Sequence, residues 1–426
     1  MNPNPPRRIG LLAVAAALVS ALPGCANLWD ARGGLVEQAQ MTDANGASIY
    51  LFRDIDPSEV PTMELPGRLR PCCAFGSHLG VSVGKVPIAG FELANLLSVD
   101  DLGRHNYNNG VVSMGGSGGA VLSNERSGLV YTCRGGFIDI AHLRDYADWM
   151  AYFTTFIAAR LETGGVVELP SEGGVRRVVL EPVPAELLSM HRVRALSLAL
   201  AEYVTFRLSI FHEIITAYGW SAIDLFPEQA SAFSPEDLYS NLLGIKIARS
   251  MIEVGAVGSE QQYNMNLDRW LVEVLTRLRP LDPSDAEQVL AGLDGYWWDS
   301  KRRLPDPLLV QKRNMETGPE IRPWLASDAG SPEADAALEG KCDVEAERFV
   351  MSNPTTLGHQ PLSELIRLEV EVRQKDLSAD FPIRDRVIDE RDFPELVRDI
   401  RARARDVLGE GFDQPRGRSA LTPARD

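Results

Sequence analysis

Two histidines and several carboxylates stand on stretches of sequence whose apolar composition predicts buried helices. One stretch places Asp139, His142 and Asp145 at three-residue intervals, and a second carries the adjacent pair His212 and Glu213. A buried ionisable group is costly unless it is paired, hydrogen-bonded or bound to a metal. Such groups concentrate at functional sites, so these residues are the first candidates for chemistry.

His212 and Glu213 belong to Phe211-His-Glu-Ile-Ile-Thr216, which resembles the first half of the H-E-x-x-H motif of zinc peptidases. Thr216 stands where the second histidine ligand would be, which disfavours that peptidase family. His212 remains suitable as a single ligand in a site shared with other helices, with Glu213 as a base or a further ligand. The spacing therefore predicts a site built between helices.

We predict that such a site binds a divalent metal through side chains from three helices. The predicted ligands are His142, His212, Asp145 and Asp237. Glu213 and His142 are the predicted catalytic acid–base groups, and we expect His142, His212 and Glu213 to converge within metal-ligand reach. Imidazole with carboxylate suits zinc, manganese or iron better than calcium. This pattern is typical of a metal-dependent hydrolase.

Structural roles for the same residues are the alternative. Asp237 follows Ser234-Pro-Glu and fits the first turn of a helix, where an acid is favourable without any ligand. His212 and Glu213 can each satisfy a buried backbone group or an arginine, with Arg144 and Arg207 as available partners. A non-enzymatic envelope scaffold or binding lipoprotein would have buried polar residues that all pair with each other, whereas a catalytic metal site keeps a coordination position open.

The cysteines predict disulfides. If Cys25 carries a lipid, four remain: Cys72, Cys73, Cys133 and Cys342. An oxidising compartment permits disulfides, and four cysteines allow three pairings. Neighbouring Cys72 and Cys73 rarely bond each other, so each should reach elsewhere, and Cys133 is the first candidate partner. Cys133 precedes a helix, a position that stabilises a thiolate, but a structural disulfide is favoured over a thiol enzyme.

A mainly helical α+β fold must position these side chains. Helical patterns near 139–161, 185–218 and 235–254 predict the centre of a buried helix bundle, because helices that are apolar nearly all round are buried. A hairpin at 166–180 and an alternating strand at 365–373 predict a small β component with other short strands.

The first residues predict export. Arg7 and Arg8 precede a short apolar run, 9–22, and then Gly24-Cys25 resembles the lipobox of bacterial lipoproteins. We expect Cys25 to be lipidated and Ala26 to direct the protein to the outer membrane, facing the periplasm. The run is shorter than the roughly 20 residues of a membrane span. The expected organisation is a signal peptide at 1–24, a tether at 25–47, a main domain at 48–345, a C-terminal strand and helix packed on it at 346–413, and a disordered tail at 414–426.

Charge limits the partners. The net charge of −16 argues against nucleic acid or an anionic lipid surface as a partner, because both require a basic surface. The lipid anchor is therefore the expected route to the membrane. A composition of 45% hydrophobic and 24% charged residues is that of an ordinary globular protein.

Three segments together resemble a family of bacterial envelope proteins catalogued as domain of unknown function 4056. They are Arg70–Gly76, Tyr131–His142 and Phe233–Gly244. The similarity would cover roughly residues 45 to 350, and it implies bacterial origin and export. It brings no known catalytic residues, so the chemistry rests on the side chains themselves.

Overall fold

The computed structural model describes most of the chain after residue 62. The described ranges are 63–70, 74–83, 86–109, 112–113, 125–221, 228–343, 348–373, 377–383 and 386–421. The predicted signal peptide, Cys25, the predicted tether, Cys72 and Cys73 lie outside these ranges. Within them, no helix combines the length and the apolar character that crossing a membrane requires.

Helices dominate the described residues, as the sequence predicts for a mainly helical α+β fold. The α-helices are α1 (Ile140–Ala158), α2 (Ala185–Met190), α3 (Val193–Ala217), α4 (Asp237–Glu253), α5 (Glu260–Arg277), α6 (Pro283–Gly292), α7 (Pro332–Leu338) and α8 (Phe393–Leu408). The predicted helix 185–218 is therefore two helices. They are separated at His191, which adopts an extended backbone with φ −125° and ψ 146°.

Three helices form the centre. Every residue of α1 is buried, and α1 packs against both α3 and α4. Gly244 of α4 lies directly on the backbone of α1: a Cβ atom there would overlap the carbonyl of Leu143. Glycine is required at so close an approach because any side chain would push the helices apart. This contact fixes α4 against the first turn of α1.

The strands are short and antiparallel. They are β1 (Arg68–Leu69), β2 (Leu79–Val83), β3 (Val86–Leu93), β4 (Val112–Ser113), β5 (Leu129–Thr132), β6 (Gly136–Asp139), β7 (Gly165–Leu169), β8 (Gly174–Leu180), β9 (Glu320–Ile321), β10 (Met351–Ser352), β11 (Thr356–Leu357), β12 (Gln360–Pro361), β13 (Ile366–Val372) and β14 (Val387–Asp389). One four-stranded sheet has the order β14-β13-β8-β7, and the others are two-stranded.

The four-stranded sheet joins the predicted hairpin to the predicted C-terminal strand. β7 pairs with β8, and β13 pairs with β8 along its whole length, for example Leu368 with Val178. Side chains alternate between buried and partly exposed along β8 and most of β13, as period-2 patterns predict. The turn between β7 and β8 contains Glu172, which this sheet directs towards α3.

A disulfide joins Cys133 to Cys342, with a Cα–Cα distance of 5.4 Å. The first candidate pairing, Cys133 with Cys72 or Cys73, is therefore wrong. Cys133 follows β5 and Cys342 follows α7, so the fold brings together two segments that are 209 residues apart in sequence. A disulfide removes the thiolate that a Cys133 nucleophile would need.

The predicted disordered tail needs correction where the structure describes it. Trp297 Nε1 donates to Pro415 O at 2.7 Å, Gly417 N donates to Ala329 O at 2.8 Å, and Ser419 N donates to Gly295 O at 3.0 Å. These hydrogen bonds satisfy backbone groups of the tail on the main domain. The tail's polar composition concealed them, because backbone hydrogen bonding does not depend on side-chain type.

Candidate metal centre

The beginning of α1, the last turns of α3 and the beginning of α4 bring their ionisable side chains together. One ligand atom from each of His142, His212 and Glu213 lies within 4.8 Å of the others. A second group with the same spacing consists of Asp139, His142 and Asp237. His142 belongs to both groups. We call these five residues the metal-centre cluster.

His212 is held by a carboxylate from the β7–β8 turn. Its Nδ1 is hydrogen-bonded to Glu172, and Glu172 is also ion-paired with Arg176. Burial alone lowers the pKa of His212, but the Glu172 carboxylate overcomes this effect and raises it to about 9. A carboxylate on one imidazole nitrogen fixes the ring and leaves the other nitrogen for a metal. The His212 side chain is 13% exposed, which makes it the cluster's contact with solvent.

His142 lies deeper, beside two carboxylates. Its Nδ1 is 3.2 Å from Asp237 Oδ1 and 4.0 Å from Asp139 Oδ2. Asp139 also caps α1: its Oδ1 accepts hydrogen bonds from the backbone of Ala141 at 2.7 Å and His142 at 3.1 Å. The His142 and His212 rings are 6.0 Å apart between centroids and nearly perpendicular, at 85°. The N-cap thus also places a carboxylate against His142.

Glu213 is oriented by backbone rather than by an arginine. Its Oε2 accepts a hydrogen bond of 2.6 Å from Phe233 N. Phe233 has φ +55°, a conformation that is rare for a side chain of this size and marks local strain. Burial, reinforced by the Asp237 carboxylate, raises the pKa of Glu213 to about 8. Glu213 can therefore exchange a proton near neutral pH.

The segment that precedes α4 positions both carboxylates. Ser234 N donates to Asp237 Oδ2 at 2.7 Å, directly after Phe233 N donates to Glu213. The buried guanidinium of Arg313 donates to Ala230 O at 2.8 Å and to Ala232 O at 2.7 Å. Arg313 thus anchors the segment through its backbone and places a positive charge near the cluster.

Several buried polar atoms in and around the cluster have no hydrogen-bond partner among the described residues. They are Glu213 Oε1, Ser234 Oγ, both carboxylate oxygens of Glu236 and both side-chain polar atoms of Asn241. A buried polar atom left without a partner costs about 1–3 kcal/mol. So many acceptors beside two histidines fit the donor set of a bound cation.

Asp145 is not part of this cluster, although its sequence spacing suggested a shared ligand set. It forms an ion pair with Arg70 NH1 at 2.7 Å, and the same nitrogen contacts Asp148 at 3.0 Å. Each step of three residues moves a side chain about 60° around a helix and about 4.5 Å along it. Asp145 therefore lies a turn beyond His142, in a second polar network.

This second network, the Arg70 network, is closed. Arg70 also contacts Glu125 at 2.7 Å. His105 Nε2 lies 3.0 Å from Asp148 Oδ1, to which Tyr263 donates at 2.9 Å. None of the side-chain oxygens of Glu125, Asp145 and Asp148 is among the unsatisfied atoms of the described residues. Such a network is a structural ion-pair assembly.

One structural alternative for Glu213 is present, because Glu213 accepts a hydrogen bond from the buried backbone N–H of Phe233. The two arginines have other partners: Arg144 Nη2 donates to Gly103 O at 3.0 Å, and Arg207 stacks over Tyr203 at 4.9 Å from its ring centroid. Sequence reasoning missed Glu172 as the partner of His212, because Glu172-Gly-Gly174 predicts a turn and nothing more. The one available indication was that this turn contains an acidic residue, Glu172, which can pair with a histidine.

Comparison with known proteins adds a family. A family model described as "Protein of unknown function (DUF4056)" matches residues 60–327, more than half of the chain, and confirms the predicted family. The matched range includes every residue of the metal-centre cluster. Neither the curated proteins nor the solved structures contain a match.

Proposed function

The chain belongs to the family of unknown function DUF4056, and we propose from the geometry of its metal-centre cluster that it is a metal-dependent hydrolase. Its ion is held by His142, His212 and Glu213. The observation that carries the proposal is the convergence of these three side chains within 4.8 Å, in a buried region with unsatisfied acceptors. No described arginine is hydrogen-bonded to Glu213, so the cluster differs from an ordinary buried ion pair.

The donor set selects the metal class. Two imidazoles with a carboxylate bind zinc in hydrolases and suit manganese or iron as well, and such a site leaves a coordination position open. A bound ion of this kind lowers the pKa of its water to about 7 and polarises a carbonyl or phosphoryl oxygen. The reaction class that follows is hydrolysis of an acyl or phosphoryl bond.

The protein's own side chains divide the remaining work. Glu172 fixes the His212 ring. Phe233 N holds Glu213 Oε2 and leaves Oε1 for the metal or for the proton of a water. In the metal-free chain, burial beside the Asp237 carboxylate raises the pKa of Glu213 to about 8, and a carboxyl with one oxygen available can take or give the proton of a water. Substrate would approach past His212 and the half-buried Trp220, whose ring centroids are 5.9 Å apart.

The experiment that tests the proposal measures metal and activity together. Full-length protein is stripped with EDTA, dialysed against Zn²⁺ and analysed by mass spectrometry. We expect wild type and the control His359→Asn, at an exposed turn, to retain zinc and His212→Asn to lose zinc. Metal-loaded protein is then tested on chromogenic acyl and phosphoryl esters, where Glu213→Gln should lower kcat by about 10²–10⁴-fold.

Two outcomes would count against the proposal. A wild-type protein that binds no zinc, manganese or iron would refute the metal centre. Bound metal without hydrolysis of any ester would favour the alternative, a non-enzymatic envelope scaffold or binding lipoprotein. The unsatisfied acceptors around Glu213 argue against that alternative, since a scaffold would pair its buried polar atoms.

We also propose that the chain is a lipoprotein of the bacterial envelope, anchored in the outer membrane through Cys25. The lipobox-like Gly24-Cys25 and the disulfide between Cys133 and Cys342 support this, because disulfides persist in oxidising compartments. Cys25→Ser should release the protein from membranes in cell fractionation. Unchanged membrane association of that variant would refute lipid anchoring.

A further inference from the structure

We infer that the centre holds a second divalent cation, bound by Asp139, Asp237 and Glu236 beside His142. This inference extends the proposed hydrolase site and rests on it. The second cation would take oxygen ligands, in contrast to the histidine-rich first position. Enzymes that use two metals hold the ions about 3.5–4 Å apart, commonly with a shared carboxylate.

The first observation is geometric. Asp139, His142 and Asp237 each place a ligand atom within 4.8 Å of the other two. This group shares His142 with the first group but otherwise uses different residues from different helix ends. Two neighbouring positions accommodate the five residues with ordinary coordination numbers.

The second observation is a buried acid, Glu236, which directly precedes Asp237 in sequence. Glu236 is 2% exposed, and neither of its carboxylate oxygens has a hydrogen-bond partner among the described residues. The Asp237 and Asp139 carboxylates act on it electrostatically. The buried side-chain oxygen of Asn241 also lacks a hydrogen-bond partner among the described residues.

The third observation is charge. Four carboxyl groups are buried here, on Asp139, Glu213, Glu236 and Asp237. Arg313 acts electrostatically on the last three, but its N–H groups donate to the backbone carbonyls of the segment before α4. When ionised, these four carboxyl groups supply the negative charge that two divalent ions would neutralise.

The proposed oxygen ligands determine which metal ion is suitable for the test. Carboxylates and an amide oxygen suit manganese or magnesium, and manganese also accepts imidazole. The test therefore uses Mn²⁺ alone, added to the EDTA-stripped full-length chain. Bound manganese is counted by mass spectrometry after desalting, and electron paramagnetic resonance distinguishes isolated ions from coupled pairs. Circular dichroism verifies that each variant is folded.

The variants separate the two positions. Asp139→Asn keeps the helix cap, because asparagine caps as well as aspartate, but it removes a charged ligand. Glu236→Gln preserves the shape of the side chain, and His212→Asn affects the first position. We expect two Mn²⁺ per chain with a coupled spectrum in wild type. Asp139→Asn, Glu236→Gln and His212→Asn should each lower the count by one and abolish the coupling.

Other outcomes overturn the inference in distinguishable ways. One Mn²⁺ in wild type that survives Asp139→Asn and Glu236→Gln but is lost in His212→Asn would leave the proposed function intact and remove the second position. One Mn²⁺ that every substitution abolishes would indicate a single shared ion, which also overturns the inference. No bound metal in wild type would overturn both proposals.

Discussion

Two buried polar networks lie along the same helix and differ in completeness. At the start of α1, the metal-centre cluster gathers imidazoles and carboxylates, and its Glu213 Oε1 has no hydrogen-bond partner among the described residues. Further along α1, the Arg70 network gathers three carboxylates around one guanidinium, and its members hydrogen-bond to each other. Burial is similar in both, so burial does not distinguish a site from a structural network. The two networks differ in whether their buried polar atoms all have hydrogen-bond partners.

The difference arises from the cations that the sequence supplies. Arg70 provides a planar fork of N–H donors, which fits several carboxylates at once. Near the metal-centre cluster, the N–H groups of Arg313 donate to backbone carbonyls instead of to carboxylates. In the Arg70 network a guanidinium hydrogen-bonds to the carboxylates directly, whereas Glu213 Oε1 and the Glu236 carboxylate have no such donor among the described residues, and a cation from solution would fill that role.

Replacing Arg70 should produce the largest effect. Arg70→Met leaves Asp145, Asp148 and Glu125 buried without their cation, and removing one partner of a buried ion pair typically costs about 3–5 kcal/mol. Urea denaturation should show this loss of unfolding free energy. Arg126→Met, at a side chain that is 63% exposed, is the control and should change stability little.

The metal content of folded Arg70→Met protein tests whether the Arg70 network has any part in metal binding. We expect it to equal that of wild type, because Arg70 contacts none of the proposed ligands in the described structure. A variant of normal stability that loses its metal would reverse the roles assigned to the two networks.

Substituting Glu172 should have the next largest effect, on metal affinity. Glu172→Gln weakens the carboxylate that orients His212, and loss of such a partner typically lowers metal affinity about 10–100-fold. Zinc titration by competition with a chromogenic chelator measures this. Glu168→Gln, in the same hairpin but exposed, should leave the affinity unchanged. Equal affinities for wild type and Glu172→Gln would mean that Glu172 is a structural partner alone.

His212 and Glu213 should lose stability as pH rises, whereas Glu125 and Asp148 of the Arg70 network should lose it as pH falls. In metal-free protein, the pKa of His212 is raised to about 9 and that of Glu213 to about 8. Both folded-state values exceed the ordinary ones, 6.5 and 4.5, so each contribution to stability is present at low pH and is lost as pH rises towards the folded-state pKa. Between about pH 6.5 and 8, each group should cost up to about 1.4 kcal/mol per pH unit.

Two carboxyls of the Arg70 network, Glu125 and Asp148, have the opposite sign, whereas burial raises the pKa of the third, Asp145, to about 6. Burial opposes ionisation of Glu125 and Asp148, but His105 and Arg70 hold the pKa of each carboxyl below its usual range. Their contribution is present above the ordinary pKa and is lost as pH falls towards the folded-state value. Urea denaturation of EDTA-treated protein from pH 3 to 9 tests both signs. Metal should abolish the alkaline loss, and a loss that persists in zinc-loaded protein would contradict the assignment to His212 and Glu213.

Local patterns predicted much of this architecture. The helical α+β class and the hairpin follow from periodicity and turn residues, and the apolar helices brought His142, His212 and Glu213 together. The partner of Cys133 was missed because pairing across 209 residues has no local signal. Asp145 was misplaced because residues at i and i+3 share a helix face without sharing a ligand. The hydrogen bond from Phe233 N to Glu213 could not be predicted, because it joins residues of different segments that meet only in the folded chain.

The disulfide between Cys133 and Cys342 closes a covalent ring that contains every residue of both proposed metal positions, as well as Glu172 and Arg313. Proteolytic cleavage at any single peptide bond inside this ring opens the chain but does not separate it into two molecules. Fragments would part on a gel only after reduction. The residues of the centre, gathered from three helices and a hairpin turn, thus remain one molecule after a cut in any loop between them.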